Sequence, residues 1–247
     1  MTVRRAVWWC LAGLPVATVA AFAAWWWQPA SQLAPWRKGP PPHPWAEWTR
    51  QEQRWREEGI RRPIEHGYVP LGEISPQLQL AVLVGEDIDF FGHGAVDLRE
   101  VWDVIETARP GERLRGASTI TQQLARSLFL SPERTLWRKL RELRLAWWLD
   151  RRLGKRRVLE LYLNVVEFGP GVYGAEAAAR HYLGGSARSL DAGQAAGLAA
   201  AIPAPSRDNP ATGSGRWEAR RGVILNRMSH ADWLRSLLAS LPGNARD

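Results

Sequence analysis

The chain has 247 residues, enough for one domain with a real core plus appendages and too few for two large catalytic domains. A single cysteine, Cys10, excludes an intrachain disulfide and a cysteine-rich metal site. The formal net charge of +8 suits polyanions, phosphorylated ligands or an anionic membrane surface, and 15 tryptophans suit work at a membrane interface.

Arg4 and Arg5 precede an uncharged run from Ala6 to Trp27, about long enough to cross a hydrocarbon core of roughly 30 Å as a helix. Trp8 and Trp9 mark one end and Trp25, Trp26 and Trp27 the other, in the manner of aromatic belts. Ala21-Phe22-Ala23 also permits a cleaved signal peptide. The apolar run continues past it through three tryptophans, which favours an anchor that stays. Residues 1–27 are therefore read as a cytoplasmic tip and one N-terminal transmembrane helix. Arg4 and Arg5 on one side balance Arg37 and Lys38 on the other, so charge does not decide the orientation.

Residues 28–62 read as a Pro-rich spacer, with Pro40, Pro41 and Pro42, followed by an amphipathic segment. Trp45, Trp48 and Trp55 share one helical face, which rests either on lipid or on the domain. Residues 63–247 hold that domain, and its pattern is mainly α, with no convincing run of alternating strands.

Ser75-Pro76 carries the cap and first-turn residues of a helix start, and an apolar run ending at Val84 leads to Glu86 and Asp87. Phe90 and Phe91 follow. A carboxylate held against aromatic surface loses hydration, which raises its pKa and suits it to proton abstraction near neutral pH. The plain alternative is a solvated helix end. Past Asp97 a helical pattern runs through Val101, Trp102 and Ile105, then breaks at Arg109-Pro110-Gly111 into a basic loop. Ser118 or Thr119 caps the next helix, whose free N-terminal amides would welcome a phosphate.

Ser131-Pro132 opens the longest helix, to about Leu153. Leu136, Leu140, Leu143 and Trp147 form an apolar stripe, and Arg134, Arg138 and Arg141 a cationic row opposite it with Glu142 at its edge. On periodicity alone that row is equally a solvated face. A further helix spans Lys155 to Asn164, and Gly169-Pro170-Gly171 stops its continuation. Alanine-rich helices follow at Ala175 to Tyr182, ended by Gly184-Gly185, and at about Leu190 to Ala201. Two more helical patterns occupy the tail, through Val223, Leu225 and Met228 and then Trp233 to Leu241.

Five clusters in this order give the chain a resemblance to the monofunctional biosynthetic transglycosylases, peptidoglycan glycosyltransferases of lysozyme-like fold, from about Leu71 to Ala201. Glu86, Asp87, Phe90, His93 and Asp97 match the first motif, with Ala95 where the family has glycine. Gly116, Ser118, Thr119, Ile120, Thr121, Gln122, Gln123 and Arg126 match the second, with Ser127 in place of asparagine. Arg138, Lys139 and Glu142 match the third. Lys155, Leu159, Glu160, Tyr162, Leu163 and Asn164 with Glu167-Phe168-Gly169 resemble the fourth, and Gly174-Ala175, Ala178 and Tyr182 the fifth.

The resemblance implies that Glu86 is the catalytic base and that Glu142 assists at a diphosphate. It implies that Gln122, Arg126, Arg134 and Arg141 grip that diphosphate, with Asp87, Phe90, Ser118, Thr119, Gln123, Arg138, Lys139 and Asn164 also at the substrate. His93 orders the first-motif loop, and Glu160 either shapes the cleft or packs a helix. The implied reaction polymerises a lipid-linked disaccharide-peptide (lipid II) onto a growing glycan strand, with inversion and release of polyprenyl diphosphate. The leaving diphosphate needs stabilising charge more than a proton, and arginines, lysine and a divalent cation such as Mg2+ or Mn2+ are candidates for it. No organic cofactor is expected. Expected partners are lipid II, the glycan strand, the cytoplasmic membrane and other cell-wall synthesis or division proteins.

Two rivals stay open: a membrane-anchored lytic transglycosylase, which needs a carboxylic acid kept protonated at the scissile oxygen, and a non-catalytic glycan-binding scaffold. Nucleic-acid binding lacks a zinc spacing or a binding fold. The absence of Ser-x-x-Lys and Lys-Thr-Gly patterns argues against transpeptidation. The substrate class places the amino terminus inside and the domain outside.

Overall fold

In the structure, a computed structural model describing residues 22–28, 33–97, 118–133 and 135–240, one apolar helix is wrapped by the others. Besides a helical stretch at 22–27, the described helices are α1 Ala46–Glu57, α2 Pro76–Glu86, α3 Ile120–Phe129, α4 Leu136–Val165, α5 Ala175–Leu183, α6 Ala192–Ala201, α7 Gly215–Ser229 and α8 Asp232–Ser240. The wrapped element is α2. Ser75 accepts from the Gln77 amide at 3.2 Å and Pro76 sets the first turn. From Leu78 to Val84 every side chain is buried, and all are apolar except Gln79, whose amide donates to the Leu71 and Ile74 carbonyls; this is the pattern of a helix enclosed by protein. It packs against α6, α7 and α8. The alanines of α6 allow close approach, and an Asp191–Gln194 capping box starts that helix. Each large aliphatic side chain so enclosed contributes about 1.5–3 kcal/mol, and the sum holds Glu86 at a fixed helix end.

The longest helix, α4, differs from its sequence reading in two ways. It begins at Leu136 rather than at Pro132, because Thr135 accepts from the Arg138 amide at 3.1 Å and caps it there. Its inward face is also the opposite one. Leu136 is 87% exposed and Leu140 53%, whereas Glu142, Leu145, Ala146, Trp148 and Leu149 are buried. Positions 142, 145, 146 and 149 repeat at helical spacing as well as 136, 140, 143 and 147 do, so periodicity offered two stripes and packing against α3 selected one. Gly154, at φ +75, kinks α4 and separates the two helices expected on either side of it.

Gly169-Pro170-Gly171 forms a hairpin turn instead of a helix stop, since α4 has already ended at Val165. Three short strands result: β1 Glu65–His66, β2 Glu167–Gly169 and β3 Val172–Tyr173, in the order β1-β3-β2. The first pair is parallel and the second antiparallel. At Gly171, φ +73, a Cβ would lie 2.0 Å from the Trp55 ring, so the turn is shaped to receive α1. Trp45 and Trp55 are buried there, and the tryptophan face rests on the domain. Leu33 and Trp36 of the spacer also join the core.

The expected membrane span lies mostly outside the described residues. Among the described residues no helix is long and apolar enough to cross a membrane. The helical pattern after Asp97, the basic loop to Gly116 and Arg134 likewise lie outside them.

Candidate active site

Glu86 ends α2 with its side chain 9% exposed and both carboxylate oxygens occupied. Arg220 Nη2, from α7, donates to Oε1 at 2.7 Å, and Gln123 Nε2, from α3, donates to Oε2 at 3.0 Å. Arg220 also donates to the Gly85 carbonyl. The Tyr162 hydroxyl donates to Gln123 Oε1 at 2.8 Å, which fixes the end of the amide that faces Glu86. Burial pushes the Glu86 carboxyl above its ordinary pKa, against the opposing pull of Gln123, Arg220 and the nearby Arg126 charge. Burial also holds the Tyr162 phenol well above its ordinary value, so it stays a neutral donor.

Asp87, one residue on, joins three segments. Its Oδ1 meets His93 Nε2 at 2.7 Å and its Oδ2 accepts from the Ile120 amide at 2.9 Å. His93 Nδ1 bonds the Gly94 carbonyl at 2.7 Å. Burial opposes charge on His93, but these acceptors at both ring nitrogens prevail and its pKa is raised. Thr119 caps α3, accepting from the Gln122 amide at 3.3 Å and donating to the Ala95 carbonyl at 2.9 Å. Gln122 Nε2 donates to the same carbonyl at 3.0 Å. The start of α3 is thus closed by Thr119 and Asp87, and the phosphate site expected at its amides is corrected: the Ile120 and Gln122 amides are already taken. Ala95 is buried, and among the described residues no residue other than glycine has a positive φ, so alanine sits in the glycine position without backbone strain.

Glu142 is only 2% exposed and takes ion pairs from Arg138 and Lys139 on its own helix. Lys139 Nζ extends the contact to Gln122 Oε1 at 2.8 Å and Ser118 Oγ at 3.4 Å. Gln123 Nε2 in turn reaches the Ser118 carbonyl at 3.3 Å as well as Glu86. A continuous polar chain therefore links the two glutamates, from Glu86 through Gln123, Ser118 and Lys139 to Glu142.

The other expected residues divide. Arg126 is exposed and its charge acts on Glu86. Arg141 is exposed and its charge acts on Arg144. Phe90 is buried under the Lys155 ammonium, 4.6 Å from the ring centroid. Glu160 accepts from the Leu71 amide at 3.0 Å and Tyr68 at 3.1 Å and pairs with Arg157. Asn164 is fully buried and pairs with both backbone groups of Val69 at 2.9 Å, which splices the two segments together. Arg220 was not foreseen. Its one signal is the density of arginines between 216 and 221, which marks no particular one.

Among the described residues no group of three or more His, Cys, Asp or Glu is placed to hold a metal. The carboxylates of Glu86, Asp87 and Glu142 are each engaged by protein donors. With their oxygens so engaged, these residues do not fit a resident cation.

A family model described as Transglycosylase matches residues 54–229. The biosynthetic peptidoglycan transglycosylase of Methylobacillus flagellatus is 50% identical over 147 residues, covering 58% of this chain and 62% of that protein. The protein of the same name from Shewanella amazonensis is 46% identical over 173 residues, 69% of this chain and 66% of its own length. That from Herminiimonas arsenicoxydans is 44% identical over 174 residues, 68% and 74% respectively. The match therefore spans just under two thirds of the first two relatives' own length.

Proposed function

The chain belongs to the transglycosylase family, and from that premise we propose that it polymerises lipid-linked disaccharide-peptide into glycan strands. The observation that carries the reading is the hydrogen bonding at Glu86: both oxygens accept, from Arg220 and from Gln123. A carboxylate that only accepts is the ionised form, and its raised pKa makes it a stronger base than a surface glutamate. Glu86 takes the proton from the 4-hydroxyl of the acceptor sugar. The freed oxygen attacks the anomeric carbon of the donor, the bond to the diphosphate breaks with inversion, and the diphosphate leaves with its electron pair. Arg126, Arg138 and Lys139 supply positive charge for it, while Glu142 fixes the latter two.

The same bonding disfavours the lytic rival. A lytic enzyme needs a protonated carboxyl at the scissile oxygen, with its O–H free to be given away; Glu86 faces donors, and Glu142 faces two cations. The membrane setting belongs to this reading: residues 6–27 as an anchor, amino terminus inside, domain outside, with cell-wall synthesis or division proteins as partners. A divalent cation enters only as a companion of the substrate diphosphate. Purified protein is incubated with lipid-linked disaccharide-peptide, with and without chelator, and with finished cell wall. Polymer from the precursor is expected. Solubilised wall with untouched precursor would reverse the choice.

A further inference from the structure

One to three turns beyond Glu142, α4 carries a pocket of about 290 Å³ that the sugar chemistry does not use, lined by Trp27, Trp147, Trp148, Arg151 and Arg152. The Arg151 guanidinium lies 4.8 Å from the Trp147 ring centroid and that of Arg152 5.1 Å from Trp148. Both arginines are exposed, and neither pairs with a carboxylate among the described residues. Each guanidinium head is thus held against an indole at the pocket lining, with its charge available to whatever fills the pocket.

The wall on the other side is Trp27, the last of three tryptophans at 25–27 that lie against α4. Trp25 stacks on Trp137 at 5.3 Å, Trp26 meets Trp147 at 5.5 Å and Trp27 meets Trp148 edge-on at 5.0 Å. Trp148 Nε1 donates to the Trp26 carbonyl at 2.8 Å. Arg144 donates to the Trp25 carbonyl and lies 4.0 Å over its ring. The uncharged run 6–27 thus ends at this pocket, and on the same helix Leu136, Trp137 and Leu140 are exposed. Indoles with one face apolar and one edge polar favour the headgroup zone of a bilayer, and guanidiniums recognise phosphate oxygens in a fork.

We propose that this pocket seats the phosphate of an anionic phospholipid. A zwitterionic headgroup brings its own cation against Arg151 and Arg152, so an anionic headgroup such as that of phosphatidylglycerol matches the charge and a choline headgroup does not. The proposal rests on the membrane setting above but not on the sugar chemistry, and its test involves no turnover.

The full chain in detergent is titrated with phosphatidylglycerol, with phosphatidylcholine of the same acyl chains and with inorganic phosphate, and bound adducts are counted by native mass spectrometry. Wild type retains phosphatidylglycerol over phosphatidylcholine by on the order of tenfold. Arg151→Gln/Arg152→Gln loses that preference with unchanged Tm and unchanged polymerisation in detergent. Arg188→Gln/Arg216→Gln, which removes two exposed charges elsewhere, keeps it. Equal retention of the two lipids, a preference that survives in the 151/152 variant or falls equally in the 188/216 variant, or inorganic phosphate binding as tightly as phosphatidylglycerol, overturns the proposal. Failure here leaves polymerisation untouched, and a protein that binds the lipid yet makes no polymer separates the two readings.

Discussion

Arg220 and Glu86, 134 positions apart in sequence, meet at 2.7 Å across the junction of α7 with the end of α2. The contact sets the working state of the carboxylate. Burial alone would favour the protonated acid, and the guanidinium is one of the groups that pull the other way. Gly85 permits the approach: a Cβ there would lie 3.3 Å from Ile224 on α7.

Replacing Arg220 by Ala removes a cation from Glu86, so the carboxyl pKa rises further. The acid limb of the pH–rate profile moves to higher pH and turnover at pH 7 falls. Raising the pH restores part of the loss if the base assignment holds. A profile that drops uniformly with no shift of its acid limb would mean that Arg220 acts elsewhere.

Glu86→Gln is expected to lower polymerisation on the order of 10²–10⁴-fold while precursor binding persists. Its effect on stability has the opposite sign. A carboxyl whose pKa is raised by folding favours the fold in its protonated form, below the unfolded pKa, and loses that contribution as pH rises through the folded value. Near neutral pH the ionised group therefore works against folding. The amide, which carries no charge, should melt no lower than wild type at pH 7, as read by thermal denaturation. A marked drop in Tm would show that the charge is needed for folding as well as for chemistry.

How far the sequence reached can be judged from neighbouring residues. Glu86, Gln123 and Lys139 fall within local runs whose residue order carries the resemblance, and the structure brings them into one hydrogen-bonded chain. Glu142 lies at the edge of a cationic row that periodicity alone leaves open to solvent, yet it is buried, because helical spacing does not declare which face turns inward. Glu160 and Asn164 belong to the fourth motif, and the structure ties them to Leu71 and Val69. Those contacts span 89 and 95 positions, and residue spacing carries no information about partners so distant. Arg220 escaped for the same reason.

The buried Glu142 is matched by two cations, which makes their removal non-additive. Lys139→Ala leaves Arg138 in place and should cost less than the roughly 3–5 kcal/mol expected when a buried charge loses its partner altogether. Arg138→Ala/Lys139→Ala should cost more than the sum of the single changes, as measured by denaturant unfolding. Glu142→Gln in the double variant should recover much of the loss, since the stranded charge is gone. Simple additivity across these variants would show that solvent reaches Glu142.

Besides Glu86, two further groups should make stability fall as pH rises across the neutral range. Burial pushes the Glu167 carboxyl from 4.5 up to about 7, only partly offset by its bond from the Gly171 amide. His93 is raised from 6.5, where burial is outweighed by Asp87 and the Gly94 carbonyl. For each, the stabilising form is the protonated one, so its contribution is complete below the unfolded pKa and gone above the folded pKa. The windows overlap at their edge: about pH 4.5 to 7 for Glu167, and from pH 6.5 upward for His93. Thermal melting of Glu167→Gln relative to wild type should therefore gain on the wild type through the lower window and hold level above it. His93→Gln should sit below wild type in acid and converge with it as pH rises, since the wild type then loses the imidazolium bridging Asp87 and Gly94 that the variant lacks at every pH. If the two difference curves run parallel across both windows, the wild-type slope belongs to other groups.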